Sequence, residues 1–155
     1  MLFRSGAMAC ARAGDEYGAN ELLEAAHACA VRLGHDVAGA AVFGPSNVAI
    51  HRVAIPMDLG DPATALQWTE RNHILFPPGF EERRGRYLID VARALAGRGR
   101  DTEAVQALKQ AEEATPEEVR SHRLTRELLV TLLSRERRGV VPELRGIANR
   151  SGVTE

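Results

Sequence analysis

Apolar residues recur along this chain at three- and four-residue intervals, and glycines cut the pattern into pieces. The clearest stretch places Leu88, Val91, Ala92 and Leu95 at i, i+3, i+4 and i+7, one face of an α-helix. Gly99 ends it, and Ala104, Leu108 and Ala111 open a second helical face that stops before Pro116. The same spacing, a glycine followed five positions later by alanine, occurs from Gly14 to Ala19 and from Gly60 to Ala65. Ala19, Leu23 and Ala26 repeat the helical face in the first copy. The second copy is weaker, with Ala65, Thr69 and Asn72, but also ends in a proline, Pro77. Each glycine suits a left-handed helix terminus, and Asp61-Pro62 and Asp101 are expected to cap the helices that follow.

Self-similarity of this kind predicts helical hairpins, with alanine at the crossings so that paired helices approach closely. Ala104, Leu108, Ala111 and Pro116 resemble the second half of the tetratricopeptide pattern, with leucine where that pattern has an aromatic residue. The expected fold is all-α, a tetratricopeptide-like stack of antiparallel helical hairpins (an α-solenoid) of about eight helices in one domain, 1–155. Its repeats would span roughly 2–34, 46–72 and 80–115. The copies are 46 and then 39 residues apart, longer than the ideal repeat of about 34. The excess falls in loops at 35–45 and 73–79. Thr115-Pro116-Glu117-Glu118 predicts a capping box that opens a helix over 116–138, with Leu124, Leu128 and Leu132 on one side and Gly139 as its stop. A last helix over 142–151 would cover the exposed end of the stack. Leu144 to Thr154 also has the look of half a helix-turn-helix, but no recognition helix follows within the chain.

Composition narrows the function classes. Aromatic residues are only 5% of the chain, so the core must be built from Ala, Leu and Val. The net charge of −1 gives no footprint for nucleic acid, and the arginines of 120–138 alternate with glutamates as on a solvated face. Lys109 is the sole lysine. No window has the ~18 apolar residues of a membrane span and no secretory leader is recognisable, so a cytoplasmic location is expected. Cys10 and Cys29 read as small core residues too far apart to bridge. The histidines show no metal-ligand spacing, and no phosphate loop, nucleophile elbow or dinucleotide fingerprint is present. The reading is of a protein that is not an enzyme, with no cofactor and no metal.

A more specific likeness lies in Phe43-Gly44-Pro45-Ser46-Asn47-Val48-Ala49-Ile50-His51-Arg52-Val53, followed by Leu59-Gly60-Asp61. It continues in Arg83-Arg84-Gly85-Arg86-Tyr87-Leu88-Ile89-Asp90-Val91-Ala92-Arg93-Ala94 and in Pro116-Glu117-Glu118-Val119-Arg120. Together these resemble the C-terminal tetratricopeptide-like region of actinobacterial Xre-family helix-turn-helix transcriptional regulators. The resemblance implies a signal-receiving, dimerising interaction domain that takes a peptide, small signalling molecule or protein partner. DNA would be met only through a domain missing from this chain, so the chain would be a fragment of such a regulator or a stand-alone descendant of its sensor half. The alternative is a free-standing protein–protein adaptor with no DNA role.

In the repeat family, the first helix of each hairpin lines a concave groove. That frame makes Asn47 and Arg86 equivalent, with His51 and Asp90 one turn later and Arg93 beyond. These five are the expected ligand- or partner-binding residues, the arginines gripping a carboxylate. Pro56 departs from the frame. It removes a helical hydrogen bond to the Arg52 carbonyl and is expected to kink its helix, either tolerated near the helix end or freeing that carbonyl for a ligand.

Overall fold

The computed structural model describes residues 2–36, 44–136 and 142–153. Among them are nine helices and no strand: α1 (Leu2–Arg12), α2 (Glu16–Leu33), α3 (Pro45–Asp58), α4 (Pro62–Arg71), α5 (Glu81–Gly97), α6 (Asp101–Ala114), α7 (Pro116–Ser121), α8 (Arg123–Arg135) and α9 (Pro142–Arg150). No described helix is long and apolar enough to cross a membrane. The chain divides into two compact units, Met1–Gly79 and Phe80–Glu155, each described by itself below.

In the first unit, α1 packs on α2 and α3 on α4, and α3 also meets both α1 and α2. Ala7, Ala19, Leu23 and Ile55 form its centre, with Met8, Cys10, Ala11, Leu22 and Leu59 around them, and Ala26, Ala30 and Val48 form a second cluster. The alanines are the reason the helices pack so closely: a methyl group fills the crossing without pushing the backbones apart. The turns obey the glycine expectation. Gly14 and Gly60 have φ of 76° and 79°, a region where any side chain is strained. Asp61 caps α4 through its carboxylate, which accepts from the Thr64 N–H at 3.0 Å. Pro56 lies in the last turn of α3. There the Leu59 N–H reaches the Ile55 carbonyl at 3.0 Å and the Asp61 N–H reaches Pro56's own carbonyl at 2.8 Å, so the helix ends soon after the lost bond. Cys10 and Cys29 are free thiols and half-buried, more exposed than the core role expected of them. Phe43 and most of the loop at 35–45 lie outside the described residues.

In the second unit, α5 and α6 form a tight pair across a turn at Gly99, whose φ is 73°. α7 leans on both, α8 packs on α5 and α7, and α9 packs on α6 and α8. Ile89, Ala111 and Val119 make one cluster with Leu88 against it, and Leu108, Leu129, Leu132, Leu144 and Ile147 are also fully enclosed. Burying one such leucine or isoleucine side chain contributes about 1.5–3 kcal/mol. Gly85 allows α5 to pass close to the start of α7. A methyl group there would stand 2.0 Å from the Thr115 hydroxyl oxygen.

Three sequence expectations fail in this unit. The helix expected over 116–138 is two helices, because the chain turns extended at His122 (φ −70°, ψ 126°) and α8 ends at Arg135. This break accounts for nine helices where eight were expected; Gly139, the expected stop, lies outside the described residues. Asp101 is the first residue of α6 and not its cap, a position held by Arg100, whose side chain makes no capping hydrogen bond and pairs with Glu103 instead. Thr115 occupies the cap position of α7 but makes no capping hydrogen bond, its hydroxyl turning back to donate to the Ala111 carbonyl at 3.3 Å.

Candidate functional site

The five expected residues divide between the units. Asn47 and His51 lie on α3 in the first; Arg86, Asp90 and Arg93 lie on α5 in the second.

On α3, Gly44 holds the cap position and Pro45 the first helical turn, so Asn47 falls inside the helix and does not cap it. The N-terminus is closed by Asp36, whose carboxylate accepts from the Ser46 N–H at 3.1 Å. Asn47 is buried, His51 half-buried, and both are engaged by neighbouring groups. Next to them Arg52 is 9% exposed and donates to Glu24 on α2 at 2.8 Å. This face of α3 is therefore closely built.

On α5 the spacing of Arg86, Asp90 and Arg93 makes one stripe, and the side chains differ in what they offer. Asp90 is buried and pairs with Arg93 at 2.7 Å, which fixes both. Arg86 has a side chain 55% exposed and pairs with Glu118 on α7. The same carboxylate oxygen lies 3.9 Å from Nε2 of His122, at the break between α7 and α8. Tyr87, beside Arg86, is half-buried, and burial pushes its hydroxyl up from the ordinary tyrosine value. The stripe thus carries one accessible guanidinium held by a surface carboxylate, and one half-shielded pair beyond it. That combination suits an anion, because a planar guanidinium can exchange one carboxylate for another.

Among the described residues, no three His, Cys, Asp or Glu side chains stand where they could hold a metal ion. Glu118 and His122 did not figure in the sequence reading of the site. Their i, i+4 relation is legible, but the pairing of Arg86 with Glu118 joins positions 32 apart and has no local signal. A second enclosed ionic group of the unit lies away from this stripe. Glu112 on α6, 8% exposed, accepts two bonds of 2.7 Å from Arg150 on α9 and one of 3.4 Å from Arg120 on α7. The Arg150 hydrogen bonds in particular hold its carboxyl below the usual range. This cluster fastens three helices together and leaves no open position for a ligand on Glu112. Compared with known proteins, the chain matched no family model, no curated protein and no solved structure.

Proposed function

We propose that this chain is the signal-receiving and dimerising domain of a transcription regulator, a tetratricopeptide-like helical stack that binds a peptide, partner protein or small molecule. The reading rests on the sequence resemblance, and the all-helical, glycine-turned hairpins are consistent with it. The single observation that favours a binding role is Arg86: half exposed, on the stripe the repeat frame selects, and held by a carboxylate that a ligand carboxylate could replace. The chain would work in the cytoplasm as a homodimer, without catalysis, and would reach DNA only through another domain.

The test is a titration of the protein with a panel of short peptides carrying free or amidated C-termini, followed by calorimetry. Binding of a free-carboxylate peptide is expected, and Arg86→Ala should weaken it about ten- to a hundredfold, the loss of one charge-assisted contact. The melting temperature should move little, since the half-exposed Arg86–Glu118 pair is screened by solvent. Equal binding by Arg86→Ala, or a preference for amidated ends, would remove the anion-binding reading. Sedimentation equilibrium tests the dimer separately, and a monomer at all concentrations would reject it.

A further inference from the structure

Arginine pairs with a carboxylate most specifically through a two-point fork, in which two of its nitrogens each donate to one oxygen. This chain builds that fork on Arg100, which meets both oxygens of Glu103 at 2.7 and 2.6 Å, and on Arg150, which meets both oxygens of Glu112 at 2.7 Å. Both use Nε and Nη2. Arg52 on α3 departs from this pattern. Its side chain is 10% exposed and its Nη2 stands 2.8 Å from Oε1 of Glu24 on α2, but its Nε is buried with no hydrogen-bond partner. Glu24 is itself 70% exposed. An enclosed cation is thus served at one nitrogen by a carboxylate that lies mostly in water. The arrangement is costly, because the guanidinium loses its hydration and regains little from a screened partner.

Beside this pair the first unit carries an aromatic wall. His27 lies one turn beyond Glu24 on α2, and its ring stands edge-to-face with Trp68 on α4, the centroids 6.5 Å apart and the planes at 87°. Both rings are half-buried. Residues at i and i+3 on a helix are neighbours, so the Arg52–Glu24 pair and the His27–Trp68 pair lie side by side. α2 contributes to both, α3 supplies the cation and α4 the indole.

We propose that Arg52 anchors a second ligand site, in the first unit, which takes a small organic acid with an apolar body. The ligand carboxylate displaces Glu24 into solvent and accepts from both Nε and Nη2, filling the fork that Glu24 leaves half used. Its apolar body lies against the His27–Trp68 pair. Glu24 loses little on leaving, because a carboxylate already largely hydrated gives up only a screened contact. A planar carboxylate matches the two N–H bonds of the fork, whereas a neutral amide of the same shape brings no charge to the enclosed cation. The site does not depend on Arg86, which lies on α5 in the other unit.

The probes are benzoate and its neutral counterpart benzamide, titrated into the whole chain. Trp68 is the single tryptophan, so one indole N–H resonance reports on the site. Benzoate should shift that resonance saturably and benzamide should not. Glu24→Gln, a surface change, removes the competing carboxylate and should tighten benzoate binding about two- to fivefold. Arg52→Lys keeps the charge but loses the fork, and should weaken binding about tenfold. Arg86→Ala should leave it unchanged. The absence of a saturable shift in both the parent and Glu24→Gln would overturn the site, as would equal shifts by benzoate and benzamide. Benzoate binding as tight in Arg52→Lys as in the parent, or lost in Arg86→Ala, would place the anion elsewhere and refute the assignment.

Discussion

Replacing Gly85 with alanine puts two opposing effects on one atom. Gly85 sits within α5 without a positive φ, so the exchange would ordinarily stabilise the helix by about 1 kcal/mol. The new methyl group, however, would stand 2.0 Å from the Thr115 hydroxyl oxygen, 3.1 Å from its Cβ and 3.2 Å from its methyl carbon. Ordinary carbon–oxygen contact needs well over 3 Å, so more than an ångström must be found. Thr115 cannot swing clear, because Cβ itself is tight and the residue is buried at the junction of α6 and α7. Overpacking of this kind costs about 1–3 kcal/mol, which exceeds the propensity gain. We expect Gly85→Ala to lower stability by about 1–2 kcal/mol net. Urea unfolding followed by ellipticity is the assay, since the single tryptophan, Trp68, lies in the other unit and would not report directly on α5. Thr115→Ala removes the two outer atoms and should rescue most of the loss when combined with Gly85→Ala, a coupling of about 1 kcal/mol. A Gly85→Ala protein as stable as its parent, or strict additivity of the two changes, would refute the argument.

Further outcomes follow from caps and charges. Asp61→Ala should cost about 1 kcal/mol by leaving the Thr64 N–H uncapped, read as a lower urea midpoint at unchanged slope. Arg150→Met should cost about 1–2 kcal/mol, because it leaves the Glu112 carboxylate with the longer contact to Arg120 while the half-exposed Arg150 guanidinium is already partly screened by water. Because the Glu112 carboxyl is held below its ordinary value, the folded protein keeps the charge at pH values where the unfolded chain takes up a proton. Its contribution is complete above the ordinary carboxylate range and is lost as the pH falls through the depressed folded value. Stability profiles from pH 7 downward should therefore fall less steeply in Arg150→Met than in the parent, and parallel profiles would contradict the assignment.

The turns were legible because their chemistry is local. A left-handed backbone at Gly14, Gly60 and Gly99 selects glycine, and the alanine five residues on marks where the next helix presses inward. The Pro77-Pro78-Gly79 run likewise marked the loop at which the two units meet in sequence. The break at His122 was not legible, since it depends on a side-chain nitrogen finding a backbone N–H and not on a residue that forbids helix. Asp101 and Thr115 misled for a related reason: both are good capping residues, and each is placed one step from, or turned away from, the group it would cap. For the candidate site, the stripe of Arg86, Asp90 and Arg93 came from laying this helix on the frame of the repeat family the sequence resembles. What makes Arg86 different from Arg93 came from a partner on another helix, which no spacing along the chain encodes.

The scarcity of lysine has a use beyond composition. Lys109 stands exposed near the C-terminal end of α6, and every other basic side chain is a guanidinium or imidazole. Amine-selective reagents, which scatter over most proteins, would find here one side-chain address besides the α-amino group. A fluorophore or surface linker coupled at Lys109 would hold the second unit in a single known orientation, with no engineered cysteine and with Cys10 and Cys29 left for a second, thiol-directed label.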